Sequence, residues 1–106
     1  MEKRKPHYSL KDIQEKVRLN GEDVFTRTAL ENSKEMGLTI GQTIEVVCSM
    51  KQSCFYKSMT THASSEIWQN VYHPPTPIGK IAYVKVTLRK EGSIVIQFKD
   101  KNNGID

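Results

Sequence analysis

The first regular pattern in the chain has a helical period. Leu10, Ile13 and Val17 stand at i, i+3 and i+7, which places them on one stripe of a helix. The spacing predicts a helix from Leu10 to about Leu19. Ser9 is its expected N-cap, Asp12 sits where a capping-box carboxylate would, and Asn20-Gly21 stops it. A second helix is expected from Ala29 to Met36. Thr28 and Glu31 have capping-box spacing, and Ala29, Leu30, Ser33 and Met36 give a narrow buried face. Gly37 suits the position just past its end.

The period then changes to two. Ile44, Val46, Cys48 and Met50 alternate with Thr43, Glu45, Val47 and Ser49, which predicts a strand beginning after Ile40-Gly41. Gln52 to Met59 shows no firm period. Glu66 to His73 alternates again, with Trp68, Asn70 and Tyr72 against Ile67, Gln69 and Val71. The run His73-Pro74-Pro75-Thr76-Pro77 carries three prolines, which lack ladder donors, so a stiff loop is expected. Lys80–Leu88 and Ile94–Phe98 then read as two strands around the loop Arg89–Ser93. Two helices followed by three or four strands predict an α+β domain, with two N-terminal helices packed on a mainly antiparallel sheet.

The last two strands can be put in register from their own pattern. Ala82, Val84, Val86 and Leu88 on one strand should share a core face with Ile94, Ile96 and Phe98 on the other. That pairs Leu88 with Ile94 and Val84 with Phe98. The opposite face then pairs Tyr83 with Lys99, and Lys85 with Gln97. A phenol, two ammonium groups and an amide on one uncovered face could cradle a phosphate backbone and stack a base. They could equally be the solvated side of an antiparallel sheet.

Composition narrows the classes. At 106 residues the chain is expected to be one domain. Hydrophobic residues make up 37% and charged residues 26%, as in folded soluble proteins. Apolar runs fall short of the ~20 residues that span a bilayer. The charged start Met1-Glu2-Lys3-Arg4-Lys5-Pro6 lacks the apolar stretch of a signal peptide, so a cytoplasmic location is expected. Cys48 and Cys54 have no metal-ligand spacing, so no metal site or cofactor is expected. Cys48 reads as a small core residue. A net charge of +4 suits an RNA or an acidic protein partner only weakly.

The central segment is more specific. It reads FYKSMTTHASSEIWQNVYHP from Phe55 to Pro74. It closely resembles the F-Y-K-S-M-T-T…I-W-Q-x-V-Y-x-P segment of the motility quorum-sensing regulator (MqsR) toxins. The start Met1-Glu2-Lys3-Arg4 followed by Pro6-His7 is similar as well, and the likeness runs to about Lys101. Asn102 to Asp106 fall outside it and are expected to be a frayed tail.

The resemblance implies a RelE-like fold and an endoribonuclease that cuts mRNA without the ribosome, preferring GC-containing triplets such as GCU. It also implies an antitoxin partner that carries a zinc-binding domain and a helix-turn-helix domain. The family's functional lysine, glutamine, tyrosine and second lysine fall on Lys57, Gln69, Tyr83 and Lys99. His62 stands where an aromatic residue is usual, and His73 where arginine is usual. The last two strands are separated by extra residues. These departures bear on the cleavage-site preference.

Metal-free cleavage of RNA uses the substrate's own 2′-hydroxyl as nucleophile. In that scheme Lys57 stabilises phosphate charge, Lys99 makes a second phosphate contact, Tyr83 donates a proton or stacks a base, and Gln69 orients the phosphate or reads a base edge. Tyr56, Lys85, His62 and His73 are candidate RNA contacts. Trp68 reads as a core residue. The alternative is a non-catalytic nucleic-acid-binding regulator on the same fold.

Overall fold

The computed structural model describes residues 1–102. Of the expected frayed tail, only Asn102 is among them; residues 103–106 lie outside. Five strands form one sheet in chain order: β1 (Glu2–Lys3), β2 (Phe55–Thr60), β3 (Trp68–Tyr72), β4 (Ala82–Leu88) and β5 (Ile94–Asp100). Every neighbouring pair is antiparallel. Three helices, α1 (Leu10–Asn20), α2 (Arg27–Met36) and α3 (Ile40–Ser49), pack on one side of it. This α+β arrangement is consistent with the RelE-like fold that the resemblance implies.

The first helix forms as its pattern predicts. Ser9 caps it by accepting from the Asp12 N–H (3.3 Å), and Leu10, Ile13 and Val17 are its buried residues. The second helix starts earlier than expected. Its N-cap is Thr26, not Thr28, and the Thr26 hydroxyl accepts from the Ala29 N–H at 3.0 Å. Gly37 ends it in the left-handed region, with φ +104°, where a side chain would be strained.

The segment from Thr43 to Ser49, read as part of a strand, is helical, so the α-helices among the described residues number three and not two. The capping box lies just upstream. Thr39 accepts from the Gln42 N–H, while the Gln42 side chain accepts from the Thr39 N–H. Thr43, Val46, Val47 and Met50 are the buried positions, and i, i+3, i+4, i+7 is a helical stripe. The same apolar residues satisfy both periods, and the cap together with tertiary packing selects the helix.

The core lies between the helices and the inner sheet face. Tyr72, Ala82, Val84, Val86, Ile94, Ile96 and Phe98 meet α1, α2 and α3 there. Each fully buried aliphatic or aromatic side chain is worth about 1.5–3 kcal/mol in transfer free energy. The β4–β5 register agrees with the sequence reading at every expected pair: Leu88 with Ile94, Val84 with Phe98, Tyr83 with Lys99 and Lys85 with Gln97. β2 and β1 had no readable pattern.

The N-terminal segment is tied down by Asn70, which is fully buried on the inner face. Its Oδ1 accepts from the His7 N–H (3.1 Å), and its Nδ2 lies 3.1 Å from both the Tyr8 carbonyl and the Tyr72 hydroxyl. The buried Ser58 hydroxyl lies 3.1 Å from Asn70 Oδ1 and 3.0 Å from the Lys5 carbonyl. Trp68, expected in the core, is half-buried at the end of the sheet instead. His7 stacks on it at 4.8 Å and the Lys3 ammonium lies 4.3 Å from its ring centre. Cys48 is half-buried and packs against the core from α3.

Candidate functional site

The outer face of the sheet can be read as three rows across the strands. One row runs Met59, Gln69, Thr87, Val95. The next runs Lys57, Val71, Lys85, Gln97. The third holds His73, Tyr83 and Lys99, with Tyr56 completing it from β2. Most of these follow from the two-residue alternation along strands whose other face is core; Tyr56 and His73 join them from outside that pattern.

The middle row puts Val71 between two lysines in register. Val71 has no exposed surface, yet it stands outside the helix-side core cluster. Its cover is the layer of longer side chains on the outer face, whose stems bury apolar surface while their heads stay wet.

Tyr56 and Lys57 both serve this face because β2 is irregular. Its register with β3 shifts between Phe55 and Lys57, and such a bulge inserts one residue and re-aims a side chain. The Lys57 ammonium lies 5.5 Å from the Tyr56 ring centre. It also pairs with Glu2 of β1 at 3.2 Å, and its own side chain is only 19% exposed. Glu2 therefore belongs to the site, although no motif or periodicity marks it.

The third row is a ladder of rings and cations. The Arg4 guanidinium lies 5.0 Å from the Tyr56 ring. Tyr56 stacks on His73 with centroids 4.5 Å apart, His73 meets Tyr83 at 5.7 Å, and the Lys99 ammonium lies 5.1 Å from the Tyr83 ring. Flat π faces beside cations are the elements of a stacking platform for unpaired bases.

Burial tunes the titratable groups. It pushes the Tyr83 phenol above its ordinary value; Lys57 opposes that shift and Tyr56 adds to it. Tyr83 is thus protonated at neutral pH and can donate. Burial lowers the His73 imidazole, and the Lys101 ammonium lowers it further, so that ring is mostly neutral. Burial also lowers Lys85, with Lys99 as the second cause. Gln69 is held by its amide, which donates to Thr87 Oγ1 at 2.8 Å.

The structure thus brings together Lys57, Gln69, Tyr83, Lys99, Tyr56, Lys85 and His73 on one face. It does not bring His62 to them. His62 is exposed in the loop between β2 and β3, at the end of the sheet away from His73. Among the described residues, no three His, Cys, Asp or Glu side chains cluster closely enough to hold a metal ion. No described helix is long and apolar enough to cross a membrane.

Two comparisons with known proteins bear on this face. The family model described as "Motility quorum-sensing regulator, toxin of MqsA" matches residues 5–100. The mRNA interferase toxin MqsR of Escherichia coli (strain K12) is 39% identical over 101 residues, which span 95% of this chain and 100% of that protein.

Proposed function

Since the chain belongs to the MqsR toxin family, the toxins of toxin–antitoxin pairs, we propose that it is an endoribonuclease that cleaves mRNA on the outer face of its sheet. The observation that supports this reading is the convergence there of Lys57, Gln69, Tyr83 and Lys99 around a ladder of rings. In the same reading the chain acts as one catalytic domain in the cytoplasm, needs no ribosome, and prefers GC-containing triplets such as GCU. Its inhibitor is an antitoxin with a zinc-binding domain and a helix-turn-helix domain.

The proposed chemistry is attack of the 2′-hydroxyl on the adjacent phosphorus. The 5′-oxygen bond breaks, leaving a 2′,3′-cyclic phosphate and a 5′-hydroxyl. Lys57, Lys85 and Lys99 neutralise the extra charge of the phosphorane. A preorganised donor in such a place is worth about 10²–10³-fold in rate. A cluster of ammonium groups repels a divalent cation and does that cation's electrostatic work itself. Tyr83, kept protonated by burial, supplies the proton to the leaving oxygen. Gln69 orients the phosphate with the free part of its amide.

Two groups can accept the nucleophile's proton: the neutral His73 imidazole and the Glu2 carboxylate paired with Lys57. Tyr56 and His73 also carry the flanking bases. His62 stands too far along the sheet to join the cleavage centre.

The test is incubation of purified protein with a defined RNA in EDTA, with the new 5′ ends mapped. Cuts should persist in EDTA and fall by about 100-fold or more in Lys57→Ala. The Lys57 side chain is only 19% exposed and its stem covers apolar surface, so the fold of Lys57→Ala is checked by circular dichroism beside the cleavage assay. Undiminished cutting by a folded Lys57→Ala protein would sink the assignment. Salt-sensitive binding without cut ends would point to a non-catalytic regulator.

A further inference from the structure

At the outer edge of β5 a cavity of about 250 Å³ opens between α2 and the sheet. Thr28 and Asn32 of α2 line one wall, and Tyr83, Lys85, Gln97 and Lys99 line the other. Small-molecule pockets start at about 300 Å³, so this one suits a single flat ring system. It is continuous with the candidate cleavage face because it shares Tyr83, Lys85 and Lys99 with it.

The wall from α2 is fixed in place. The Thr26 N–H donates to the Ile96 carbonyl (3.0 Å), and Asn32 Nδ2 donates to the Phe98 carbonyl (3.1 Å). The second bond uses one N–H of the Asn32 amide and sets its plane. An amide has two N–H donors and an acceptor oxygen, so among the described residues Oδ1 and the other N–H are left for a ligand. Facing it, the Gln97 amide on the exposed side of β5 offers a donor and an acceptor. Ala29 and Phe98 add apolar surface. Amides and a hydroxyl over an apolar floor match the polar edge and flat face of a nucleobase. The lysines at the mouth match its phosphate.

We infer that this cavity is a base-binding subsite, which takes one unstacked nucleobase of single-stranded RNA beside the phosphate held at Lys85 and Lys99. The amides of Asn32 and Gln97 read the base edge. The inference rests on the ribonuclease reading for its substrate class and deepens it by naming where sequence preference originates.

Two measurements test it. In the first, the four nucleoside 3′-monophosphates and inorganic phosphate are titrated into the full chain and followed by amide chemical shifts. Saturable shifts are expected at Thr28, Asn32 and Gln97, with affinities that differ about tenfold between best and worst base. Gln97→Leu and Asn32→Ala should shrink that spread to about twofold. Gln97 is exposed, so its variant keeps the test alive should Asn32→Ala loosen α2. In the second, 5′ ends are mapped on a random RNA pool, and both variants should change the base frequencies at one position next to the cut.

Equal affinity for all four nucleotides and for phosphate, with shifts confined to the lysines, overturns the subsite. So does cutting with base frequencies unchanged in both variants, which leaves the ribonuclease reading standing. Base-selective binding by a wild-type protein that cuts nothing has the opposite meaning: the subsite stands and the ribonuclease reading fails.

Discussion

At the scale of single residues, the imidazoles set the response to pH. Burial first, and then the Lys101 ammonium, lowers His73 below its ordinary 6.5. Burial and Lys3 do the same to His7. Between each lowered value and 6.5, the unfolded chain binds more protons than the folded one. Stability should therefore be full above pH 6.5 and decline as pH falls through the lowered values. An NMR titration of His73 should give a midpoint below 6.5, and a midpoint at or above 6.5 would contradict the burial argument. If His73 accepts the nucleophile's proton, His73→Gln should erase the acid limb of the pH–rate profile. Erasure by Glu2→Gln instead assigns that role to the carboxylate. The Tyr83–Lys99 pair was legible in the sequence because both strands carry an unbroken two-residue alternation. Glu2 was not, because its partner Lys57 lies 55 positions on and β1 is too short to carry a period. Tyr56 and Lys57 reach one face only through a bulge, which alternation alone assigns to opposite faces.

At the scale of elements, α3 shows where pattern reading divides. Thr43, Val46, Val47 and Met50 make a helical stripe, while Ile44, Val46, Cys48 and Met50 make an alternating one. The deciding signal was four residues upstream, in the Thr39–Gln42 capping box. The N-terminal segment was illegible for another reason. It is held by buried side-chain bonds to Asn70 and Ser58, and periodicity reports only apolar faces. Asn70→Ala leaves several buried groups without partners, each worth about 1–3 kcal/mol when unsatisfied. We expect about 2–4 kcal/mol lost in urea unfolding, with loss of hydrogen-exchange protection at the His7 amide. Since that segment carries Glu2 to Lys57, Asn70→Ala should also impair cleavage from the far side of the sheet. A variant with full stability and activity would show that the network is dispensable.

At the scale of the whole molecule, one sheet is divided between two tasks, with core on one face and lysines, amides and rings on the other. The modest net charge of +4 hid this, because the sum over the surface says nothing of its layout. Three face lysines contacting phosphates predict a slope near −2 in log affinity against log salt for single-stranded RNA, at about −0.7 per contact. A flat salt dependence would remove the face from RNA binding. The order of the strands has a further consequence, which lies in synthesis. β5 brings Gln97 and Lys99, the inner residues Ile96 and Phe98, and the edge on which α2 docks. A growing chain acquires none of these until Ile94–Asp100 has been made, after every other strand and helix of the sheet domain, and domains fold as units. Under the proposed ribonuclease function, the message being translated is shielded by timing, because a chain that lacks β5 has no assembled face to turn on it. Nascent chains arrested before Ile94 should be protease-sensitive and leave added RNA intact, whereas chains released after Asp100 should cut it.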